Sequence, residues 1–122
     1  MIHLTSDLET SLQQLVNKLE AKYKGLILFV YVGNNDNIKL EVIRIPKELQ
    51  NQGVGSKVIN ALTEFADTHG KLIYLTTAVK DKNSGTTSQS RLIKFYKQFG
   101  FVENKGRNMD YSLSGNMYRE PK

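Results

Sequence analysis

The sequence predicts a mixed α/β domain with the element order β-α-β-β-α-β-α-β-β. Three observations lead there. Two strand-like runs, "LILFVYV" (26–32) and "IKLEVIRI" (38–45), are separated only by turn residues and form an antiparallel hairpin. A helical pattern then links the second run to a third, "KLIYLTT" (71–77), and a strand–helix–strand crossover makes a parallel pair. The 122 residues are 39% hydrophobic and 24% charged, which suits one domain over residues 1–122 with a single core.

Each element has a local cause. Met1–Thr5 reads as a short first strand. Ser6 and Glu9 have the spacing of a capping box. Leu8, Leu12, Leu15, Val16, Leu19 and Tyr23 recur at helical spacing, which predicts a helix over 7–24 that Gly25 ends. "GNNDN" (33–37) is turn chemistry between the hairpin strands, and Pro46 stops the second of them. Val54, Val58, Ile59, Leu62, Phe65 and Ala66 define a second amphipathic helix ending near His69-Gly70. Residues 80–90 are polar and loop-like. Leu92, Phe95, Tyr96 and Phe99 mark a last helix over 89–99, with Gly100 as its stop. "FVEN" (101–104) and "NMYRE" (116–120) supply the closing strands.

Composition removes several chemistries. There is no cysteine, hence no disulfide, no thiolate metal site and no cysteine nucleophile. His3 and His69 lack ligand spacing, and His69 sits where a helix ends, so no metal is expected. No apolar run approaches the twenty or so residues of a membrane span, and "MIHLTSDLE" lacks the basic and apolar blocks of a signal peptide. The expectation is a cytoplasmic protein without a membrane partner. Charge is uneven: residues 1–42 carry a net −1 and residues 43–122 a net +6, within a total of +5. An anionic ligand fits that asymmetry, and so does a solvated lysine-rich surface.

The basic part contains "QNQGVG" (50–55), between a strand and a helix. A helix N-terminus leaves backbone N–H groups unpaired and partly positive, and glycines let a phosphate approach them. The same glycines also serve a tight turn. Two common nucleotide loops do not match. A Walker loop needs Gly-Lys-Ser/Thr, but Ser56 lies between Gly55 and Lys57. A dinucleotide fingerprint needs a third glycine and an acidic end to the next strand; here stand Val58 and "KLIYLTT".

Gln50-Asn51-Gln52-Gly53-Val54-Gly55 resembles the pyrophosphate loop of the GNAT superfamily of acyl-CoA-dependent N-acyltransferases, Arg/Gln-x-x-Gly-x-Gly/Ala. Ile43-Arg44-Ile45-Pro46 is similar to the strand step before that loop. Phe95-Tyr96-Lys97-Gln98-Phe99-Gly100-Phe101 is similar to the family's later Phe/Leu-Tyr-x-x-x-Gly-Phe block. The resemblance spans about residues 26–120. It implies the mixed central sheet of that family, splayed between the strand at Ile43–Ile45 and "KLIYLTT". It implies acetyl-CoA as cosubstrate, its pantetheine arm on main-chain groups of Ile43, Arg44 and Ile45. Its pyrophosphate would lie on backbone N–H groups of Gln50, Asn51, Gln52, Gly53, Val54, Gly55 and Ser56. Lys57 is among the basic residues near enough in sequence to meet the ribose phosphate.

The implied reaction moves an acetyl group to a primary amine of a small molecule or protein, by direct attack in a ternary complex. Tyr96 would give a proton to the leaving thiolate, and main-chain groups near Ile43–Ile45 would polarise the thioester carbonyl. Without the family, Tyr96 is an aromatic residue on a core-facing helix. Glu41 is the candidate base; regular alternation puts it on one face with Ile43 and Ile45, and an exposed strand carboxylate is its other reading. The chain also departs from the pattern. Gln89 stands where many members have Asn, seven residues before the tyrosine. Residues 80–88 are longer and more polar than usual. The insertion "KGRNMDYSLSG" (105–115) brings Arg107 and Tyr111 as possible acceptor contacts. One N-terminal helix replaces the usual two, which leaves the acceptor side open to a protein amine or to completion by a second subunit of a homodimer. Two other classes stay in view. One is an acyl-CoA-binding regulatory module without turnover. The other is a small basic nucleic-acid-binding domain, disfavoured because the basic residues are scattered without a reading motif.

Overall fold

The computed structural model describes residues 7–77 and 89–122. The expected first strand, the Ser6 half of the capping box and most of the polar 80–90 stretch lie outside the described residues. Helix α1 spans Asp7–Lys22, followed by the hairpin of β1 (Ile27–Val32) and β2 (Ile38–Arg44). Helix α2 spans Val54–His69 and leads into β3 (Ile73–Leu75). Helix α3 (Gln89–Lys97), β4 (Val102–Glu103) and β5 (Met117–Arg119) complete the order. The sheet runs β1-β2-β3-β5-β4. As expected, β1 and β2 are antiparallel and β2 and β3 parallel; β5 lies antiparallel to both β3 and β4.

Residues paired across strands share a face. Val30, Leu40, Leu75 and Met117 form one such row, and all four are buried. All three helices contribute to the core built on it. Leu12, Val16 and Leu19 come from α1, Val58, Ile59, Leu62 and Ala66 from α2, and Tyr96 from α3. The α1 pattern works because the residues three and four apart that face this core are apolar while Glu9, Gln13 and Lys18 face water. At the far end of α2, Gly70 takes φ +65 and its N–H returns to Ala66 and Asp67 carbonyls, the expected glycine stop. His69 stacks on Phe65 with ring centroids 4.2 Å apart.

Arg119 ties the last strand to the helices. Its Nη1 and Nη2 donate to the two Asp67 carboxylate oxygens at 2.7 and 3.0 Å, and its Nε donates to the Phe99 carbonyl at 2.6 Å. The bidentate geometry and the buried guanidinium hold the Asp67 carboxyl below the usual carboxylate range.

The third strand is shorter than "KLIYLTT" suggests. Only Ile73–Leu75 pair, because β2 and β3 part company after Leu40 and Leu75 while β5 begins opposite Leu75. The hairpin also differs from regular alternation. Phe29 pairs with Val42 and Val30 with Leu40, so Glu41 is an extra residue, a β-bulge. Beyond it, Ile43 pairs with buried Leu28 on the core side. Glu41 instead meets Tyr31 and Lys39 on the opposite side. The expectation that Glu41 and Ile43 share a face is therefore wrong, and the bulge is the reason. Ile27, Phe29 and Tyr31 are exposed along that same opposite side of β1.

Candidate active site

Where β2 and β3 diverge, a cavity of about 640 Å³ opens. Its strand walls are Leu40–Ile45 and Leu75–Thr77. The loop before α2 supplies Gln50, Asn51, Gly53, Val54 and Gly55, and α3 supplies Arg91, Leu92, Phe95 and Tyr96. The sequence-predicted residues Glu41, Ile43, Arg44, Ile45, Gln50, Asn51, Gly53, Val54, Gly55 and Tyr96 thus line one space. Gln52 and Ser56 are not among its lining residues.

The loop geometry follows from its sequence. Pro46 opens a single 3-10 turn over Lys47–Leu49, and the Gln50 N–H closes it on the Lys47 carbonyl at 3.3 Å. That N–H is committed, which narrows the expected donor set. The side chains of Gln50 and Gln52 fold back, donating to the Ile45 and Glu48 carbonyls at 3.1 and 2.8 Å. The Ile45 carbonyl is therefore occupied as well. Asn51 and Gly53 adopt φ +65 and +75, conformations suited to Asn and Gly. A Cβ on Gly53 would meet nothing within 4 Å, so its glycine is required by backbone conformation, in open space. At Gly55 an added Cβ would rest 3.7 Å from the Phe95 ring.

Helix α2 starts here without a side-chain cap and without an acidic residue in its first turn. The first intrahelical donor across the cap is Lys57 N–H, to the Gly53 carbonyl at 3.1 Å. The N–H groups of Val54, Gly55 and Ser56 precede it and have no partner within the helix. A diphosphate fits this arrangement: partly positive, uncapped, and open above Gly53.

Tyr96 lies buried in the opposite wall, with edge-to-face contacts to Phe95 (5.2 Å) and Phe101 (5.5 Å). Burial pushes its phenol up to about 12, so it stays protonated throughout the neutral range. The Phe-Tyr-x-x-x-Gly-Phe block is thereby explained locally: Phe95 and Phe101 pack on Tyr96, and Phe99 packs on Phe95, at the turn of α3 into β4. Glu41 sits at the cavity's edge. Its Oε1 accepts from the Tyr31 hydroxyl at 3.0 Å and lies 3.5 Å from Lys39 Nζ. The carboxylate raises the Tyr31 hydroxyl above its ordinary range, since the bond favours the protonated phenol.

Thr76, Thr77, Arg91 and Phe95 also line the cavity and were not singled out from the sequence as site residues. Phe95 and Leu92 carry the helical periodicity that signals α3. Thr77 carried no local signal, because its partners are distant: its N–H donates to Asn116 Oδ1 at 2.8 Å, across 39 positions. Lys57 is exposed and outside the cavity lining, and neither Arg107 nor the 92%-exposed Tyr111 reaches it. Among the described residues no group of three or more His, Asp or Glu is arranged to hold a metal, and no helix is long and apolar enough to cross a membrane.

A family model described as the acetyltransferase (GNAT) family matches residues 5–101. Among solved structures, the crystal structure of the anti-CRISPR protein AcrVA5 superposes with a TM-score of 0.56 at 21% identity. That match covers 77% of this chain and 87% of that one. Ard1 from Thermoplasma volcanium gives a TM-score of 0.50 at 18% identity, covering 90% of this chain and 80% of that one. At such identities both show a shared fold and nothing more. No curated protein sequence matches the chain.

Proposed function

Since the chain belongs to the acetyltransferase (GNAT) family, we propose that it transfers the acetyl group of acetyl-CoA to a primary amine inside the cavity between β2 and β3. The supporting observation is the convergence of three features on that one space. These are the uncapped N-terminus of α2, the stretch of β2 beyond Leu40 that no longer pairs with β3, and the protonated phenol of Tyr96.

In this reading the N–H groups of Val54, Gly55 and Ser56 hold the diphosphate, with Asn51 and Gly53 shaping the approach. The stretch Ile43-Arg44-Ile45 offers main-chain groups to the pantetheine arm on the side that β3 has vacated. Bound acetyl-CoA supplies an activated thioester, whose carbonyl carbon is the electrophile and whose thiolate is the leaving group. Tyr96 then donates its proton to the sulfur as the carbon–sulfur bond breaks. Glu41, oriented by Tyr31, accepts a proton from the incoming ammonium, directly or through water, so that the free amine attacks. The absence of cysteine agrees with direct attack, in which no acyl-cysteine forms.

Calorimetry tests the loop. Wild-type protein binds CoA, and Gly53→Leu or Gly55→Leu weakens binding by at least about tenfold, since about 1.4 kcal/mol is lost with the phosphate contacts. The Gly55→Leu variant matters because Gly53 carries a positive φ that a leucine strains on its own. Unchanged affinity in both variants removes the loop assignment. Mass spectrometry of amines incubated with acetyl-CoA then separates transfer from mere binding; tight binding with no acetylated product supports a regulatory module instead.

A further inference from the structure

Besides the Tyr96 phenol, Thr77 is the buried hydroxyl among the residues named in the cavity wall, with 2% of its surface exposed. Its oxygen is engaged by amide donors from two distant parts of the chain. The backbone N–H of Thr77 donates to Asn116 Oδ1 at 2.8 Å, which settles the orientation of that amide. Asn116 Nδ2 must then donate, and it does so to Thr77 Oγ1 at 2.8 Å. Gln89 Nε2, at the start of α3, donates to the same oxygen at 3.1 Å. A hydroxyl oxygen has two lone pairs and one proton. Both lone pairs are engaged by amides, so Thr77 has only its O–H left to give, and Thr77 is among the residues that line the cavity.

The location suits a reacting carbonyl. Leu40 and Leu75 are the last paired residues, so the cleft is narrowest beside Glu41, Val42, Thr76 and Thr77. The proposed diphosphate donors begin at Val54, on the element that follows β2, and Val54 and Gly55 line the same cavity as Thr77. An arm held at Val54–Ser56 and laid along β2 brings its far end to Thr77.

We propose that the Thr77 hydroxyl donates a hydrogen bond to the thioester carbonyl oxygen of bound acetyl-CoA, strengthening as that oxygen gains negative charge, and that Asn116 and Gln89 are the residues that aim it. This rests on the acetyl-CoA reading above. It adds a donor from the β3 wall to those offered by the β2 main chain, and a fixed donor aimed at developing charge is among the stronger catalytic devices.

The test uses acetyl-CoA labelled with carbon-13 at the carbonyl and bound to the intact protein, read by NMR. A hydrogen bond moves the bound carbonyl resonance away from that of free acetyl-CoA. Thr77→Val keeps the shape and removes the donor; Thr77→Ser keeps the donor. Gln89→Glu replaces an amide donor with a carboxylate that accepts the Thr77 proton and turns it out of the cavity. Because Gln89 is exposed at a helix start, where a carboxylate is favourable, this last variant leaves the fold intact. Thr77→Val and Gln89→Glu should both lose the shift, Thr77→Ser should keep it, and kcat should follow the same order, falling roughly 100-fold in the first two with KM for acetyl-CoA little changed. An unaltered resonance in Thr77→Val or Gln89→Glu overturns the proposal while leaving the acetyl-CoA reading in place. Failure of the wild-type protein to bind acetyl-CoA overturns both. Binding with a Thr77-dependent shift but no transfer to any amine overturns only the enzymatic reading.

Discussion

Tyr96 shows how a residue's role depends on what surrounds it. By itself it continues the apolar stripe of α3, and the structure does bury it among Phe95 and Phe101. Yet it also borders the cavity, and burial makes its phenol a reluctant acid that remains protonated at neutral pH. A Tyr96→Phe substitution keeps the ring and removes only the hydroxyl group. We expect turnover to fall by roughly 100-fold with CoA affinity close to wild type, measured by steady-state kinetics and calorimetry side by side. Equal turnover in the two proteins would remove Tyr96 from the chemistry. The sequence exposed this residue because its signal is local: an aromatic block and a glycine stop within seven positions. The loop at Gly53 was legible for the same reason. Thr77 was not, because nothing near it in sequence says that Asn116 will reach across to orient it.

At the level of elements, the hairpin and the crossover follow directly from periodicity, while the details that build the cleft do not. "LEVIR" breaks its alternation at Val42-Ile43, a doublet that also suits a strand buried on both faces, so the inserted position is not identified until the partner strand is known. Only the pairing of Phe29 with Val42 and Val30 with Leu40 reveals the bulge. The opposite edge of the cleft is held by close approach. Gly115 lies so near β3 that a Cβ there would overlap the Leu75 carbonyl oxygen and stand 2.7 Å from its carbon. Real side chains do not tolerate such contacts with backbone. Gly115→Ala should push the start of β5 off β3 and cost about 1–3 kcal/mol, read as a lower midpoint in urea denaturation. A midpoint equal to wild type would mean that β5 docks without this contact. Asn104 reinforces the same corner, donating to the carbonyls of Asp110 and Gly115 and accepting from the Asp110 N–H.

For the molecule as a whole, the Arg119–Asp67 pair links the last strand, the second helix and the end of the third. Its contribution depends on pH with a definite sign. Asp67 has a folded value below its ordinary 3.8, so the pair's stabilisation is fully present above that value and fades as pH falls through the lowered one. Asp67→Asn leaves a buried guanidinium with weaker acceptors. It should lower stability at neutral pH by about 2 kcal/mol and flatten the acid limb of the stability curve, both measurable by thermal melts between roughly pH 2 and 7. Parallel melting curves for the two proteins across that range would show that the pair is energetically idle. Charge composition pointed to an anionic ligand in the C-terminal two-thirds, but it could not locate this internal pair, whose members are 52 positions apart.

That long reach has a consequence for biosynthesis. Residues 7–77 already contain the hairpin, the loop and the bulge, and α3 brings Tyr96 soon after. Asn116 and Arg119 are translated later still, yet one bonds to Thr77 and the other to the Phe99 carbonyl just past α3. A nascent polypeptide that stalls before Asn116 therefore carries most of the cavity lining but lacks the contacts that Asn116 and Arg119 make to Thr77 and Phe99. Translation must deliver β5 before the cleft is fully assembled.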